Sequence, residues 1–422
     1  MRRDGGFLAA FLAMAIGGMA ALAGCGGDGG SGPANDAVVD TPDAAAEVAT
    51  DALPDAAEEV ASDVPHELPP AGPVFEKGLV LPLDSIPCTA KDGLPTNACN
   101  HHGSSVAVQA DGTVLVAWYT GLGEYSMDSR IVWARKAPGE EAFGEWSVLY
   151  DEQTVPEGNP VLHVDDRTGD LWLFYVKVDG TSWNDGLIRL IRSTDGGAHW
   201  SPPQTLRSER NWMTRNHPIR LPSGEMLLPC YNETFYVPTF LISQDDFQSR
   251  WEEVSPPEET LLLYLGQIQP TVILRDDDSL FALMRNSDGP HPGHAIQSIS
   301  TDDGRTWTEG AANPLPNPGA AMEMVRMPSG AVMATFNNHP EARLPLAVAL
   351  SDDQGATWSA VANVVEACES GECSYPSIAV DPTDGTAWVT YTHARRSIGW
   401  VHVSEAWVRA KGDALAAIPN SF

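Results

Sequence analysis

Ser193-Thr-Asp195-Gly-Gly197-Ala-His-Trp200, Ser300-Thr-Asp302-Asp-Gly304-Arg-Thr-Trp307 and Ser351-Asp-Asp353-Gln-Gly355-Ala-Thr-Trp358 are three copies of one pattern, Ser-x-Asp-x-Gly-x-x-Trp. Each residue type has a mechanical use. Ser and Asp side chains bond the backbone of their own turn. Gly takes a positive φ without a steric cost. Trp is a large apolar plug that fixes a loop to its neighbours. Three copies define a repeat, and its period sets the architecture.

From Asp195 to Asp302 is 107 residues and from Asp302 to Asp353 is 51, so a fourth copy belongs midway. Ser243-Gln-Asp245-Asp-Phe-Gln-Ser-Arg-Trp251 fills the place, with the Gly lost. The Trp series extends as Trp146, Trp200, Trp251, Trp307, Trp358 and Trp407. A second series is independent. Asp111-Gly112, Thr168-Gly169, Ser223-Gly224, Asp277-Asp278, Ser329-Gly330 and Asp384-Gly385 each precede a short apolar run, with steps of 57, 55, 54, 52 and 55. Such runs bounded by turn residues read as strands in hairpins. Six units of this length predict an all-β fold, a six-bladed β-propeller of four-stranded blades. A linear β-solenoid is the alternative, but its repeats are usually far shorter.

Outside the repeats, residues 1–25 read as a lipoprotein signal peptide. Arg2 and Arg3 lead an apolar run ending in Leu22-Ala23-Gly24-Cys25, which resembles a lipobox with Cys25 as the lipidated residue. A signal anchor retained as a transmembrane helix is the alternative. Residues 26–75 form a linker rich in Ala, Asp, Glu, Val and Pro, without Lys or Arg, and are expected to be a disordered tether. An acidic binding tail is the other reading of this linker. Residues 76–422 are assigned to the propeller. The expected location is the bacterial cell envelope, with the membrane met through the N-terminal lipid only. A formal net charge of −32 gives no basis for binding nucleic acid. A monomer is expected.

Cysteine use fits an oxidising compartment. Cys88 with Cys99, and Cys368 with Cys373, are placed to close small loops, which leaves Cys230 as a buried thiol. Neither metal-ligand spacing nor a cofactor motif is present, so no cofactor is expected. The acid-rich Arg275-Asp-Asp-Asp278 turn lacks the EF-hand pattern.

In a propeller the inner strands converge on an axial mouth. The strand before each of the six turns begins with His102-Gly, Asn159-Pro, His217-Pro, Gln269-Pro, Glu323-Met or Tyr375-Pro, at steps of 57, 58, 52, 54 and 52. Register predicts that His102, Asn159, His217, Gln269, Glu323 and Tyr375 share one pocket. Otherwise they are ordinary strand starts beside a rigid Pro.

The repeated turn resembles the Asp-box of the sialidase superfamily, and residues 75–410 resemble a bacterial BNR-repeat, sialidase-like domain. Gln269-Pro-Thr-Val through Met284-Arg285, Arg343-Leu-Pro-Leu-Ala-Val-Ala-Leu-Ser, and Tyr375-Pro-Ser-Ile are similar to segments bearing the family's second arginine, third arginine and nucleophilic tyrosine. The resemblance implies a glycan substrate and glycoside hydrolysis. Arg285 and Arg343 would bind a carboxylate, Tyr375 would attack the anomeric carbon, and Asp128 would be the acid/base. Tyrosine nucleophiles are an exception to the two-carboxylate rule of glycosidases, and a neutral phenol is not repelled by an anionic sugar. His102-Gly-Ser-Ser stands where the family has its first arginine, Gln269 where it has the activating Glu, and Tyr391 where it has the Glu bracing that arginine. These departures count against a three-arginine clamp and against sialic acid itself. A phenol with a pKa of about 10 needs a base to become a good nucleophile. Glu323 and Glu233 are the candidate bases, and His102 and His217 are candidates for acid/base work in a different mechanism. The Asp-box aspartates are expected to be structural. A non-catalytic glycan-binding or adhesion propeller is the alternative, followed by a purely structural surface protein.

Overall fold

The six apolar runs become the second strands of six antiparallel sheets, and each sheet is laid down from the axis outward. In the computed structural model, residues 71–83, 100–369 and 371–415 are described, with backbone alone at 88–89 and 95–96. The signal peptide, Cys25 and most of the linker lie outside the described residues, as do the side chains of Cys88 and Cys99. Blade one is Asn100–Val108, Val114–Gly121, Arg130–Lys136 and Ser147–Tyr150. Blade two is Glu157–Val164, Leu171–Val178, Gly186–Ser193 and Gln204–Thr205. In blade three the inner strand is split into Trp212–Thr214 and Ile219–Arg220, followed by Met226–Asn232, Val237–Ser243 and Trp251–Val254. Blade four runs from Gln267–Leu274 to Ala311–Pro316, and blade five from Glu323–Arg326 to Ala360–Val365. In blade six, Cys373–Val380, Ala387–His393 and Ser397–Val403 are completed by the early strand Phe75–Leu79, paired Phe75↔Val403.

That closure alters the reading of Trp407. Because Phe75–Leu79 already fills the outer position, the chain after Val403 turns into the helix Glu405–Lys411 instead of an Asp-box strand. Trp407 stacks on Phe75 with ring centroids 4.1 Å apart, so it seals the closing strand.

A hydrophobic cluster fills each of the six gaps between neighbouring blades. Leu115 and Ile131 meet Leu173 and Ile191 between blades one and two, and Trp388 and Trp400 meet Val116 and Trp118 between blades six and one. The other four gaps hold equivalent clusters. Cys230 is a free buried thiol inside one of them, and Cys368 is bonded to Cys373.

The Asp-boxes lie at the end of each blade remote from the mouth. Ser193 pairs with Leu171, which pairs with Val164 at the lower end of the inner strand. Each box closes on itself: Gly355 N–H donates to Ser351 Oγ at 2.7 Å, and Thr357 N–H donates to Asp353 Oδ1 at 2.7 Å. Gly197, Gly304 and Gly355 sit against the preceding blade, where an added Cβ would come within 2.4, 2.5 and 2.3 Å of Trp133, Leu227 and Phe281. In the degenerate copy Phe247 takes the glycine's place at φ 58° and fills the gap with its own buried ring.

Gly355→Ala is therefore expected to lower the unfolding free energy by about 2–4 kcal/mol, from positive-φ strain plus overpacking on Phe281. Chemical denaturation measures this, and the same substitution at exposed Gly139, with open space around it, is expected to cost only the φ strain.

Candidate active site

Each inner strand starts at the mouth, and four of the six are deformed there. Register shifts fall between His102 and Ser105, Gly158 and Val161, Ile268 and Thr271, and Ser374 and Ser377. Within them Gly103, Asn159, Gln269 and Tyr375 have φ of 62°, 46°, 55° and 55°. Bulges re-aim side chains and recur beside active sites. A left-handed non-glycine residue costs about 1–3 kcal/mol and persists only where its surroundings hold it. Here blade three supplies the restraint. Arg215 Nη2 donates to the carbonyls of Tyr375 (2.8 Å) and Pro376 (3.1 Å), and Asn216 Nδ2 donates to those of Gln269 (3.0 Å) and Pro270 (3.1 Å).

These bulges line a cavity of about 250 Å³ that holds His102, Asn159, Gln269 and Tyr375, with Arg285 and Arg343 beside them. Arg285 Nη1 donates to Tyr375 Oη at 2.8 Å. The guanidinium carbons of Arg343, Arg215 and Arg285 lie 5.2, 5.9 and 5.9 Å from the Tyr375 ring centre. The His102 ring centre is 4.3 Å from that ring, and its Nδ1 meets Thr392 Oγ1 at 2.8 Å. Burial, reinforced by the charges of Arg395, Arg215, Arg343 and Arg285, pushes His102 well below the usual histidine range, so it is neutral. Asn159 and Gln269 both donate toward Tyr231 Oη, at 3.3 and 3.4 Å.

Three expected site residues lie elsewhere. His217 and Glu323 do not reach this cavity. His217 Nδ1 donates to Glu323 Oε1 at 2.7 Å, and Nε2 donates to Leu162 O at 2.9 Å. Glu323 also accepts from the backbone N–H groups of His217 (2.8 Å) and Ile378 (2.9 Å). The pair bridges inner strands at the hub, and His217 lines a separate cavity with Val108, Val164 and Val380 at the lower strand ends. With both its nitrogens bound to acceptors, His217 is not a free base. Asp128 is turned into its own loop, accepting from Leu122 N–H at 3.1 Å and Ser126 Oγ at 2.6 Å, and does not line the cavity.

The cavity also contains residues that inner-strand register does not reach. Arg395 lines it as a third arginine beside Arg285 and Arg343. It pairs with Glu124 in the cavity wall and with Glu372 at 3.1 Å. Glu233 lines the wall, and burial, opposed by Arg285, lifts its pKa to about 7. Trp183, Tyr119 and Tyr236 line it as well. Glu124, Trp183, Glu233, Tyr236, Arg343 and Arg395 all come from loops joining the second and third strands of a blade. Those loops must sit at the mouth, because second strands run back toward it.

The sequence profile of the BNR repeat-like domain matches residues 112–390. The chain belongs to the BNR repeat-like domain family. No curated protein matches it by sequence. Among solved structures, this BNR-repeat propeller is similar to the Hadza microbial sialidase Hz136 (TM-score 0.59, 16% identity, 73% of this chain and 66% of that one). It is similar to the NanB sialidase from Streptococcus pneumoniae (0.60, 12%, 74% and 70%) and to Trypanosoma rangeli sialidase (0.58, 12%, 79% and 60%). It also matches a protein of unknown function from Dyadobacter fermentans DSM 18053 over 96% of that chain (0.58, 15%, 73% of this chain). The BNR-repeat chain thus has the sialidase-like propeller fold, and it spans just under two thirds of the Hadza enzyme and 60% of the trypanosomal one.

The hub pair gives a pH signature. Burial works against both charges, but Glu323 raises His217 above 6.5, while His217 and Arg215 hold Glu323 below 4.5. The His217 contribution is fully present below pH 6.5 and lost as pH rises through its raised pKa. The Glu323 contribution is present above pH 4.5 and lost as pH falls through its depressed pKa. His217→Gln is expected to cost about 3–5 kcal/mol between pH 4.5 and 6.5, because it leaves a buried carboxylate without its cation. The gap from the native protein should narrow at higher pH in thermal unfolding.

Proposed function

We propose that this protein is an exo-acting glycoside hydrolase that removes a terminal anionic sugar from a glycan. The observation that carries the reading is the arrangement of Arg285, Arg343 and Arg395 around a cavity floored by Tyr375, whose Oη already accepts from Arg285. Guanidinium groups bind carboxylates in forked geometry. Cations about a phenol ring also favour negative charge developing on its oxygen. Arg285 Nε has no partner among the described residues, which keeps a donor in reserve.

In this reading the arginines hold the sugar carboxylate, and Tyr375 Oη, giving its proton to a pocket carboxylate, attacks the anomeric carbon as the bond to the leaving oxygen breaks; water then cleaves the tyrosyl–sugar bond. The pocket carboxylates Glu124 and Glu233 share the proton transfers. Glu233 is suited to the leaving-group oxygen, because a carboxyl group of pKa about 7 can both give and take a proton near neutrality. That role replaces the one the sequence suggested for Asp128. Carriage on a lipidated Cys25 at the cell envelope, at the end of a flexible linker, belongs to the same proposal. A glycan-binding propeller without turnover is the second reading. It is favoured by Gln269 at the position where the family has its activating Glu.

Fluorogenic glycosides of sialic and uronic acids discriminate between the two. Turnover is expected, with Tyr375→Phe lowering kcat by about 10²-fold or more while the sugar still binds. Saturable binding without turnover in the native protein would establish the lectin reading instead.

The pH profile provides a separate check. A limb of kcat/KM near pH 7 is expected in the native enzyme and should disappear in Glu233→Gln. If the limb survives that substitution, Glu233 is not the acid/base.

A further inference from the structure

Two of the three arginines in the cavity share a carboxylate that does not line it. Glu372 Oε1 accepts from Arg343 Nη1 at 2.9 Å and from Ser374 Oγ at 3.0 Å. Glu372 Oε2 accepts from Arg395 Nε at 3.1 Å. The main chain repeats the link. Glu372 O accepts from Ala394 N–H at 2.8 Å, and the next residue, Cys373, donates its N–H to Arg343 O at 3.2 Å. One residue thus joins the backbone next to Arg395 to the side chains of both arginines, three positions before Tyr375.

Glu372 lies beside an exposed stretch of chain. Glu366, Ala367 and Glu369 before it are exposed. Cys373, by contrast, is fully buried in the inner strand of blade six. The disulfide from Cys368 to Cys373 ties the exposed loop to that strand and encloses Glu372 within the closed segment.

We propose that Glu372 is the positioning residue that sets Arg343 and Arg395 at the spacing a sugar carboxylate needs, and that the Cys368–Cys373 disulfide holds Glu372 in register. The inference rests on the anionic-sugar reading above. A charged acceptor shared by two guanidinium groups fixes both through strong hydrogen bonds. Glutamine offers one neutral oxygen and cannot serve both. Opening the disulfide keeps the carboxylate but frees the loop that carries it. The glutamate and the disulfide therefore act on one property, the order of Arg343 and Arg395.

The test uses the full chain as native protein, Glu372→Gln, Glu372→Asp, and native protein treated with dithiothreitol, which is oxidised to its cyclic disulfide as the protein disulfide becomes two thiols. The first readout needs no sugar. Phenylglyoxal labels accessible guanidinium groups, and peptide mapping gives a rate for each arginine. Labelling of Arg343 and Arg395 should rise about fivefold or more in Glu372→Gln and after reduction, as expected of locally released side chains. Arg409, paired with Asp352 in an Asp-box turn, should not change. Glu372→Asp should fall between the native and Gln forms. Unchanged labelling of Arg343 and Arg395 in both perturbed forms overturns the proposal.

The second readout is calorimetric titration with N-acetylneuraminic acid and with glucuronic acid, using a neutral methyl glucoside as control. Glu372→Gln should weaken the acid that binds by about tenfold or more, the scale of one lost charged hydrogen bond. In turnover the loss should fall on KM, with kcat held within about threefold. Equal or tighter binding in Glu372→Gln overturns the positioning role. If the native protein binds neither acid, the functional reading fails, and the labelling rates still decide the case of Glu372.

Discussion

The inner edge of each blade is the constraint on which the rest of this structure depends. Six separate sheets present six inner strands to one axis, and among the described residues no sheet pairing joins them. A strand edge buried without partners is costly. Side chains therefore link the edges around the hub: Ser105 to blade two, His217 back to blade two, Asn216 to blade four, Thr271 to blade five, Glu323 to blade six and Ser377 to blade one. Polarity at the start of the inner strands thus serves two ends. Some of it cross-links the hub, and the rest faces the cavity above.

This double use explains what sequence register could and could not show. The turns were legible, since Gly112, Gly169, Gly224, Gly330 and Gly385, with Asp278 in the remaining place, all adopt positive φ. The blade number followed from their spacing. Register also brought His102, Asn159, Gln269 and Tyr375 together correctly, because each stands at a bulge. It misplaced His217 and Glu323, because the broken strand of blade three and the short strand of blade five carry no such bulge and turn their polar groups into the hub. Asp128 was placed from family likeness, and its carboxylate is taken up by its own loop. Arg395, Glu124 and Trp183 sit in hairpins of varied length where no repeat aligns them. Strand direction alone puts those hairpins at the mouth, and that signal was present in the chain.

The electrostatics of the cavity depend on neighbours more than on the arginine count. Arg395 is occupied by Glu124 and Glu372, Arg343 by Glu372 and the carbonyl of Gly319, and Arg285 by the phenol it serves. Arg285 is thus the one of the three with no carboxylate ion pair among the described residues. The arrangement gathers three guanidinium groups without the repulsion that they would suffer bare. It also keeps His102 neutral beside Tyr375, so an uncharged face meets one side of that ring.

The closing strand has a temporal consequence. Phe75–Leu79 precedes the six repeats in the chain, yet its partner Ser397–Val403 is the last strand of the sixth. During synthesis the early segment must wait, unmatched, while nearly the whole domain is made. Contacts of such long sequence separation form late. The charged pair Glu76 and Lys77 at its centre suits that wait, since charge on an unpaired edge discourages pairing with the wrong chain.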